Sequence, residues 1–262
     1  MNRLILLLLV TLAFVNIFAQ TKTTRHTSAK PSKPDAAAIP EPYREILQKT
    51  EQAIVVTTPG WNVVDGSLIR YEKQDGKWKQ VGDKIPIVVA KNGLGWDALI
   101  ELPSASGEPV KKEGDGRSPA GVFKIPELFG FDPESPDAKM PYHPLTEYTE
   151  CVDDVNSRSY NQVVDLDKMS GKDWDSSEKM RTIEVYLHGA VVDYNPAKIP
   201  GAGSCIFLHI WKGSGRGTAG CTAMEEDNLK SVLGWLDEKK NPVLIQFPAP
   251  LYQRIRESWQ LP

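Results

Sequence analysis

His209 and Cys221 are separated by a short loop, Lys212 to Gly217, of sequence KGSGRG. A histidine and a cysteine brought together by such a loop can make an activated thiol. The imidazole takes the sulfur's proton, or holds it as an ion pair, and the thiolate is the nucleophile. His209 falls in Ser204 to Trp211, a run that reads as a buried strand. Alternation puts Cys205, Phe207, His209 and Trp211 on one face and Ile206, Leu208 and Ile210 on the other. Gly213, Gly215, Gly217 and Gly220 let the chain turn back at little steric cost. Thr222 and Glu225 match a capping box ahead of Leu229, Val232, Leu233 and Leu236, which predicts a helix starting just after Cys221. Its unpaired N–H groups and positive dipole end would favour a thiolate and could hold an oxyanion, with the Gly220 N–H as one donor. The chemistry expected is acyl transfer. Cys221 attacks an amide carbonyl, and His209 protonates the leaving amine and later deprotonates the acceptor.

Other residues could support this centre. Asp193 and a backbone carbonyl are both open as the group that orients His209. Arg216 and Lys212, in the loop before Thr218, could pair with substrate carboxylates; keeping an exposed loop soluble is the alternative. Residues 126 to 182 form a long polar and aromatic stretch of the kind used for lids and binding loops. There Tyr142, His143, Tyr148, Tyr160 and Trp174 could line a groove for an extended peptide. His143, in Pro-Tyr-His-Pro, otherwise reads as an exposed turn residue. Asp153-Asp154 and Asp165-x-Asp167 lack EF-hand spacing and read as a solvated acidic face. His188 could lie near His209 on the sheet, or be a satisfied, partly buried histidine. A metallopeptidase using His188, His209 and a Cys or Asp ligand is a rival class, but no HExxH or Cys-x-x-Cys spacing supports a metal, and no cofactor is expected.

The elements that must position these groups are mostly short strands: Ala53 to Thr58, Ser67 to Lys73, Lys77 to Val81, Pro86 to Ala90 and Asp97 to Leu102. Asp75-Gly76 marks a hairpin, and Pro59-Gly60, Asp65-Gly66 and Asn92-Gly93 mark further turns. Ile183 to Leu187, Ala190 to Tyr194 and Pro242 to Phe247 add strands. Helices are expected over Tyr43 to Gln52 and through Leu251, Ile255 and Trp259. The class predicted is mainly β with helices, an α+β chain with a sandwich or barrel-like body in a single domain.

Composition bounds the rest. The chain has 262 residues, 25% charged and 40% hydrophobic, with net charge −3, which is ordinary for a globular protein and leaves no nucleic-acid footprint. Met1-Asn2-Arg3 and the apolar run Leu4 to Phe18 are too short for a span and read as a secretory signal over 1–19, an uncleaved anchor being the alternative. Residues 20–41, rich in Thr, Ser, Lys, Ala and Pro, read as a flexible linker, and 42–262 as the catalytic domain. Export gives the three cysteines meaning: Cys151 and Cys205 are the candidate disulfide with Cys221 free, against three reduced cysteines.

Two segments also carry a family resemblance. His209…Thr218-Ala219-Gly220-Cys221 resembles the His…Ser/Thr-His-Gly-Cys signature of the YkuD-type L,D-transpeptidases. Gly114 to Phe123, GDGRSPAGVF, resembles a second segment of that family. Taken as residues alone, that segment is a structural hairpin loop, not a phosphate loop, with Arg117 a candidate for a ligand carboxylate. Ala219 stands where many members have histidine, and Ala223 and Met224 where many have Arg or Asn. The likeness covers roughly residues 80 to 250. It implies a YkuD-like catalytic domain acting on peptidoglycan stem peptides, exported to the periplasm or cell wall of a bacterium. A stem tetrapeptide would be attacked at its third residue with D-alanine leaving, and the side-chain amine of another stem would accept. It implies Cys221 as nucleophile, His209 as proton donor and acceptor, and a covalent β-lactam adduct of the carbapenem type. Thr218, Arg216, Tyr160 and Trp174 are the substrate-binding candidates. Water in place of the amine would make an L,D-carboxypeptidase, and loss of thiol chemistry a wall-binding module.

Overall fold

The computed structural model describes residues 38–100, 107–135 and 137–262, so the expected leader (1–19) and most of the expected linker lie outside the described residues. Helix α1 (Glu41–Lys49) opens the described chain and buries Tyr43 and Leu47, an i, i+4 pair on one face. Strand β1 (Gln52–Thr58) is apolar and buried on both faces, as a central strand must be. It pairs antiparallel with β2 (Asp65–Gln74), which turns at Asp75-Gly76 into β3 (Lys77–Val88). Asp75 and Gly76 both have positive φ, 51° and 74°, the geometry a tight hairpin demands.

Three early expectations change. Lys77–Val81 and Pro86–Ala90 are not two strands: β3 runs through Lys77–Val88 with a register shift opposite Leu68/Arg70. Gly82 sits at that bulge with φ 71°, where a side chain would meet the Arg70 guanidinium. Asp65-Gly66 is not a turn but the start of β2, and Gly66 is needed because a Cβ would approach the Thr57 carbonyl to 2.6 Å. Asp97 does not begin a strand. Strand β4 is only Leu94–Trp96, and the Asp97 carboxylate then accepts from Tyr43 Oη (2.9 Å) and from the Leu99 N–H (3.0 Å), which turns the chain.

The chain continues through β5 (Ser118–Lys124), β6 (Leu128–Gly130), β7 (Tyr142–Pro144), β8 (Thr149–Val152), β9 (Val163–Asp165) and β10 (Ser177–Lys179). Then follow β11 (His188–Val191), β12 (Phe207–Ile210), β13 (Thr222–Met224), α2 (Glu226–Trp235), β14 (Val243–Pro248) and α3 (Ala249–Ile255). One large sheet has the order β4-β5-β14-β1-β2-β3-β13-β12-β11-β6-β7, and a small one the order β10-β8-β9. The chain is mainly β with helices, as expected. Strand β14 lies between β5 and β1, parallel to β1, so the last strand closes the middle of the sheet. Leu251, Ile255 and Trp259 are all buried, although α3 stops at Ile255 and a turn carries Trp259.

Two apolar clusters result. The larger joins β1, β14 and the three helices. The smaller contains Phe129, Leu145, Cys151, Met180, Tyr186, Cys205, Phe207 and Cys221. Ile183–Leu187, expected as a strand, instead forms a 3-10 turn at Glu184–Tyr186 that buries Tyr186 in the smaller cluster.

Candidate active site

Strand β12 alternates as its residues dictate. It spans only Phe207–Ile210 of the expected run Ser204 to Trp211, because Cys205 just before it has a positive φ of 54°; Leu208 joins the large core and Phe207 the smaller cluster on the other face. Strand β13 lies parallel beside it, with His209 opposite Ala223. Continuing that register puts Cys221 level with Phe207, so His209 and Cys221 are diagonal neighbours on one face. The Phe207 N–H donates to Cys221 Sγ at 3.3 Å, and the thiol donates to the Cys205 carbonyl at 3.5 Å. Cys151 and Cys205 form a disulfide, and Cys221 is the free cysteine.

The predicted helix start at Cys221 is corrected. Thr222 is in β13, and its Oγ1 bonds Gln246 Oε1 (2.7 Å) on β14 instead of capping a helix. Helix α2 begins later, with Glu225 as an N-cap that makes no side-chain capping bond. The apolar neighbours of Thr222 explain the error: strand pairing with β12 outweighs a local cap. The thiol therefore gains nothing from a helix dipole. Burial first, then the charge of Glu178, pushes its pKa well up.

His209 is nearly buried, and its ring packs on Tyr186 with centroids 5.3 Å apart. Its Nδ1 bonds the Ile210 carbonyl at 2.7 Å. A carbonyl can only accept, so Nδ1 carries the proton and Nε2 keeps its lone pair. The orienting group is thus a backbone carbonyl, and Asp193 is not used. Burial lowers the His209 pKa to about 4. Thiol and imidazole are both neutral at rest, and no hydrogen bond joins them directly. Tyr186 lies against both: its ring packs on His209, and it shares the smaller buried cluster with Cys221.

The loop around Cys221 is held by the two segments that stood out in the sequence. Ser118 Oγ donates to the Cys221 carbonyl (2.9 Å) and accepts the Ala90 N–H (2.9 Å). Thr218 Oγ1 donates to the same carbonyl at 2.6 Å. Gln246 Nε2 bonds the Pro119 carbonyl (2.8 Å) and so ties β5, β13 and β14 together. Within GDGRSPAGVF, Asp115 accepts from the N–H groups of Lys112 and Arg117. Arg117 is spent on the carbonyls of Trp61 and Leu94 and on Asn62, so it does not face a ligand. The Gly220 N–H has no backbone acceptor among the described residues, and Ile206 packs too close to Gly220 for a side chain there.

A cavity of about 220 Å³ opens beside His209, lined by Tyr186, Trp211, Lys212, Arg216, Thr218 and Ala219 among others. Arg216, Lys212 and Thr218 thus share a mouth with His209. Tyr160 and Trp174 do not line it. Both are buried; Tyr160 Oη donates to Glu113 (2.5 Å) and Trp174 Nε1 to Glu150 (2.8 Å), so they are structural. His143 is no free turn residue: it lies on β7 and meets Asp165 at 3.2 Å. Asp165 also holds Thr149 and Lys168, so it is a packing hub and not a solvated acid. His188 neighbours Gly189, which is paired with His209, so the two histidines face opposite sides of the sheet. His188 approaches Glu226 at 3.7 Å instead. Tyr186 and Glu178 escaped the sequence reading. Nothing in their local pattern distinguishes them, because their place beside Cys221 is set by the fold and not by their neighbours in sequence.

Residues 84–245 match the family described as YkuD, L,D-transpeptidase catalytic domain. No curated protein matches the chain. Among solved structures, the "Structure of Bdellovibrio bacteriovorus Bd1075" is similar at 13% identity and a TM-score of 0.38, covering 85% of this chain and 58% of that one. The chain therefore spans less than two thirds of that protein's length. The family match takes in more than half of the chain, from within β3 to the middle of β14 with His209 and Cys221 inside it, and the chain belongs to the YkuD L,D-transpeptidase catalytic-domain family.

Proposed function

We propose that this protein is an exported cysteine acyltransferase that works on peptidoglycan stem peptides, with Cys221 as nucleophile and His209 as general base and acid. The observation that carries the reading is the pairing of a free thiol with a one-sided imidazole. Cys151 and Cys205 are spent on each other, while His209 shares the Cys221 face with Nδ1–H occupied and Nε2 open. Because both groups rest neutral, Nε2 accepts the thiol proton as sulfur attacks, and no standing ion pair is needed. The Gly220 N–H is a donor for the oxyanion, and Arg216, Lys212 and Thr218 line the mouth where a donor peptide's carboxylate would lie. Collapse of the tetrahedral species breaks the amide bond. The leaving amine takes the proton from His209 and leaves a Cys221 thioester, which an acceptor amine or water then resolves. The Cys151–Cys205 disulfide supports an oxidising compartment such as the periplasm. The same thiol would take a β-lactam acyl group of the carbapenem type.

The test is mass spectrometry of tetrapeptide muropeptides incubated with the protein. Loss of terminal D-alanine with a new cross-link is the expected outcome, and Cys221→Ala abolishes it with the fold retained. Tripeptide without cross-link would assign the site to hydrolysis. Turnover surviving in Cys221→Ala would overturn the reading.

A further inference from the structure

The small sheet has no role in the chemistry described so far, yet it delivers a carboxyl group to the nucleophile. Glu178 lies on β10 opposite Cys151 of β8, and Cys151 is bonded to Cys205, whose carbonyl receives the Cys221 thiol. Tyr186 Oη donates to Glu178 Oε2 at 2.6 Å, and Tyr186 packs with Cys221 in the smaller buried cluster, where the phenol favours the thiolate. A phenol has one proton and two acceptors here. When Glu178 is ionised, that proton is taken by the carboxylate, and sulfur faces an oxygen lone pair and a nearby negative charge. When Glu178 is protonated, its own O–H can donate to the phenol oxygen, and the phenol O–H is free to turn to sulfur.

We propose that Glu178 is a positioning residue for Cys221, acting through Tyr186: the neutral carboxyl turns the phenol proton toward sulfur and favours the thiolate, and the carboxylate withdraws it. The one proton that leaves is the Glu178 carboxyl proton, which goes to solvent; the phenol keeps its own proton and only redirects it between carboxylate and sulfur. Its consequence for turnover rests on Cys221 being the nucleophile, but the switch itself can be measured on the thiol alone.

The surroundings place the switch in an accessible range. Burial raises the Glu178 pKa to about 7, opposed by the Tyr186 bond and reinforced by Asp153 and Glu113. Asp153, just after β8, has a buried Oδ1 without a hydrogen-bond partner, so its charge is poorly screened. Glu113, before β5, is held by Tyr160 Oη and Ser204 Oγ. Lys111 is a cation that acts on Cys221, but it is paired with Asp115 at 2.9 Å, and Lys179, next to Glu178 on β10, is exposed. His209, with its pKa near 4, does not titrate in the same window.

Cys221 is the free cysteine, so alkylation by iodoacetamide, followed by intact mass with the disulfide kept oxidised, reports on it directly. In the wild type, log rate against pH rises, flattens between about pH 6 and 8 as Glu178 ionises, and rises again. Glu178→Gln keeps the shape, donates permanently to the phenol and carries no charge. Its plot is a straight line without the flat region, and at pH 8.5 it reacts at least about tenfold faster than wild type, the equivalent of one pKa unit. Tyr186→Phe loses the acidic-side advantage and reacts more slowly than wild type below pH 6. It carries the test if Glu178→Gln does not fold. A flat region that persists in Glu178→Gln, or equal rates at pH 8.5, would overturn the proposal. Because no muropeptide enters the assay, that failure is separate from failure of the acyltransferase reading.

Discussion

At the scale of single residues, His209 is kept neutral by being walled in. Its ordinary pKa of roughly 6.5 falls to about 4 through burial, against a smaller opposing effect from the Ile210 bond. The sign follows: between those values the unfolded chain binds a proton that the folded chain refuses. The stability this site contributes is therefore complete above about pH 6.5 and is lost as pH falls toward 4. An NMR titration of the His209 ring, assigned by comparison with His209→Gln, should show a midpoint near 4, and a midpoint near 6.5 would contradict the buried geometry. The cost to catalysis is separate. Removing a general base lowers turnover by roughly 10²–10⁴-fold, so His209→Gln should retain at most about a hundredth of wild-type activity with its fold intact.

At the scale of elements, the disulfide is the tie between the small sheet and the entry to β12. Cys205 has a positive φ of 54°, and Asn161 Oδ1 accepts its N–H at 3.0 Å. An unfavourable backbone conformation of this kind persists only when its surroundings hold it, and here the disulfide and Asn161 do so. The bond closes a separation of 54 residues, for which loop-closure entropy gives about 4 kcal/mol and measured bridges typically 2–4. Cys151→Ser with Cys205→Ser should lower unfolding free energy by about 2–4 kcal/mol in denaturant titration. It should also change the rate of Cys221 alkylation, because the Cys205 carbonyl and Glu178 both lose their fixed place. An unchanged alkylation rate in a destabilised variant would mean the tie serves stability alone. The sequence pointed to this pair by counting cysteines behind an expected secretory leader, without showing that it fixes the neighbours of Cys221.

At the scale of the whole molecule, the large sheet is closed by its last strand. Strand β14 follows every other strand in the described chain but lies between β5 and β1, so the sheet cannot form its middle until Val243–Pro248 has been made. A chain ending at Asn241 lacks that strand, and circular dichroism should show no cooperative unfolding transition. Packing at this seam is tight. A methyl at Gly121 on β5 would overlap Tyr43 Oη on α1 and the Phe123 ring. Gly121→Ala should therefore cost about 1–3 kcal/mol or more, read as a lowered Tm. This glycine belongs to the GDGRSPAGVF segment, so part of the family likeness records packing of the first helix on the sheet and not chemistry.

What the residues determined by themselves was whatever depends on short-range pattern. Strict alternation put His209 on the Phe207 face, Asp75-Gly76 set the hairpin, and the spacing of Leu251, Ile255 and Trp259 set a buried C-terminal stripe. What only the tertiary structure decided was every case where a distant partner outbids a local one. Thr222 had the spacing of a helix cap but meets Gln246 across the sheet. Tyr160 and Trp174 had the look of groove residues but find buried carboxylates. Tyr186 and Glu178 had no local signature at all, because the 3-10 turn at Glu184–Tyr186 and strand β10 bring them into place from outside the thiol's own strand pair. The physical reason is one of reach. Periodicity reports which side of an element is apolar, whereas a hydrogen bond between remote side chains exists only after the chain has folded.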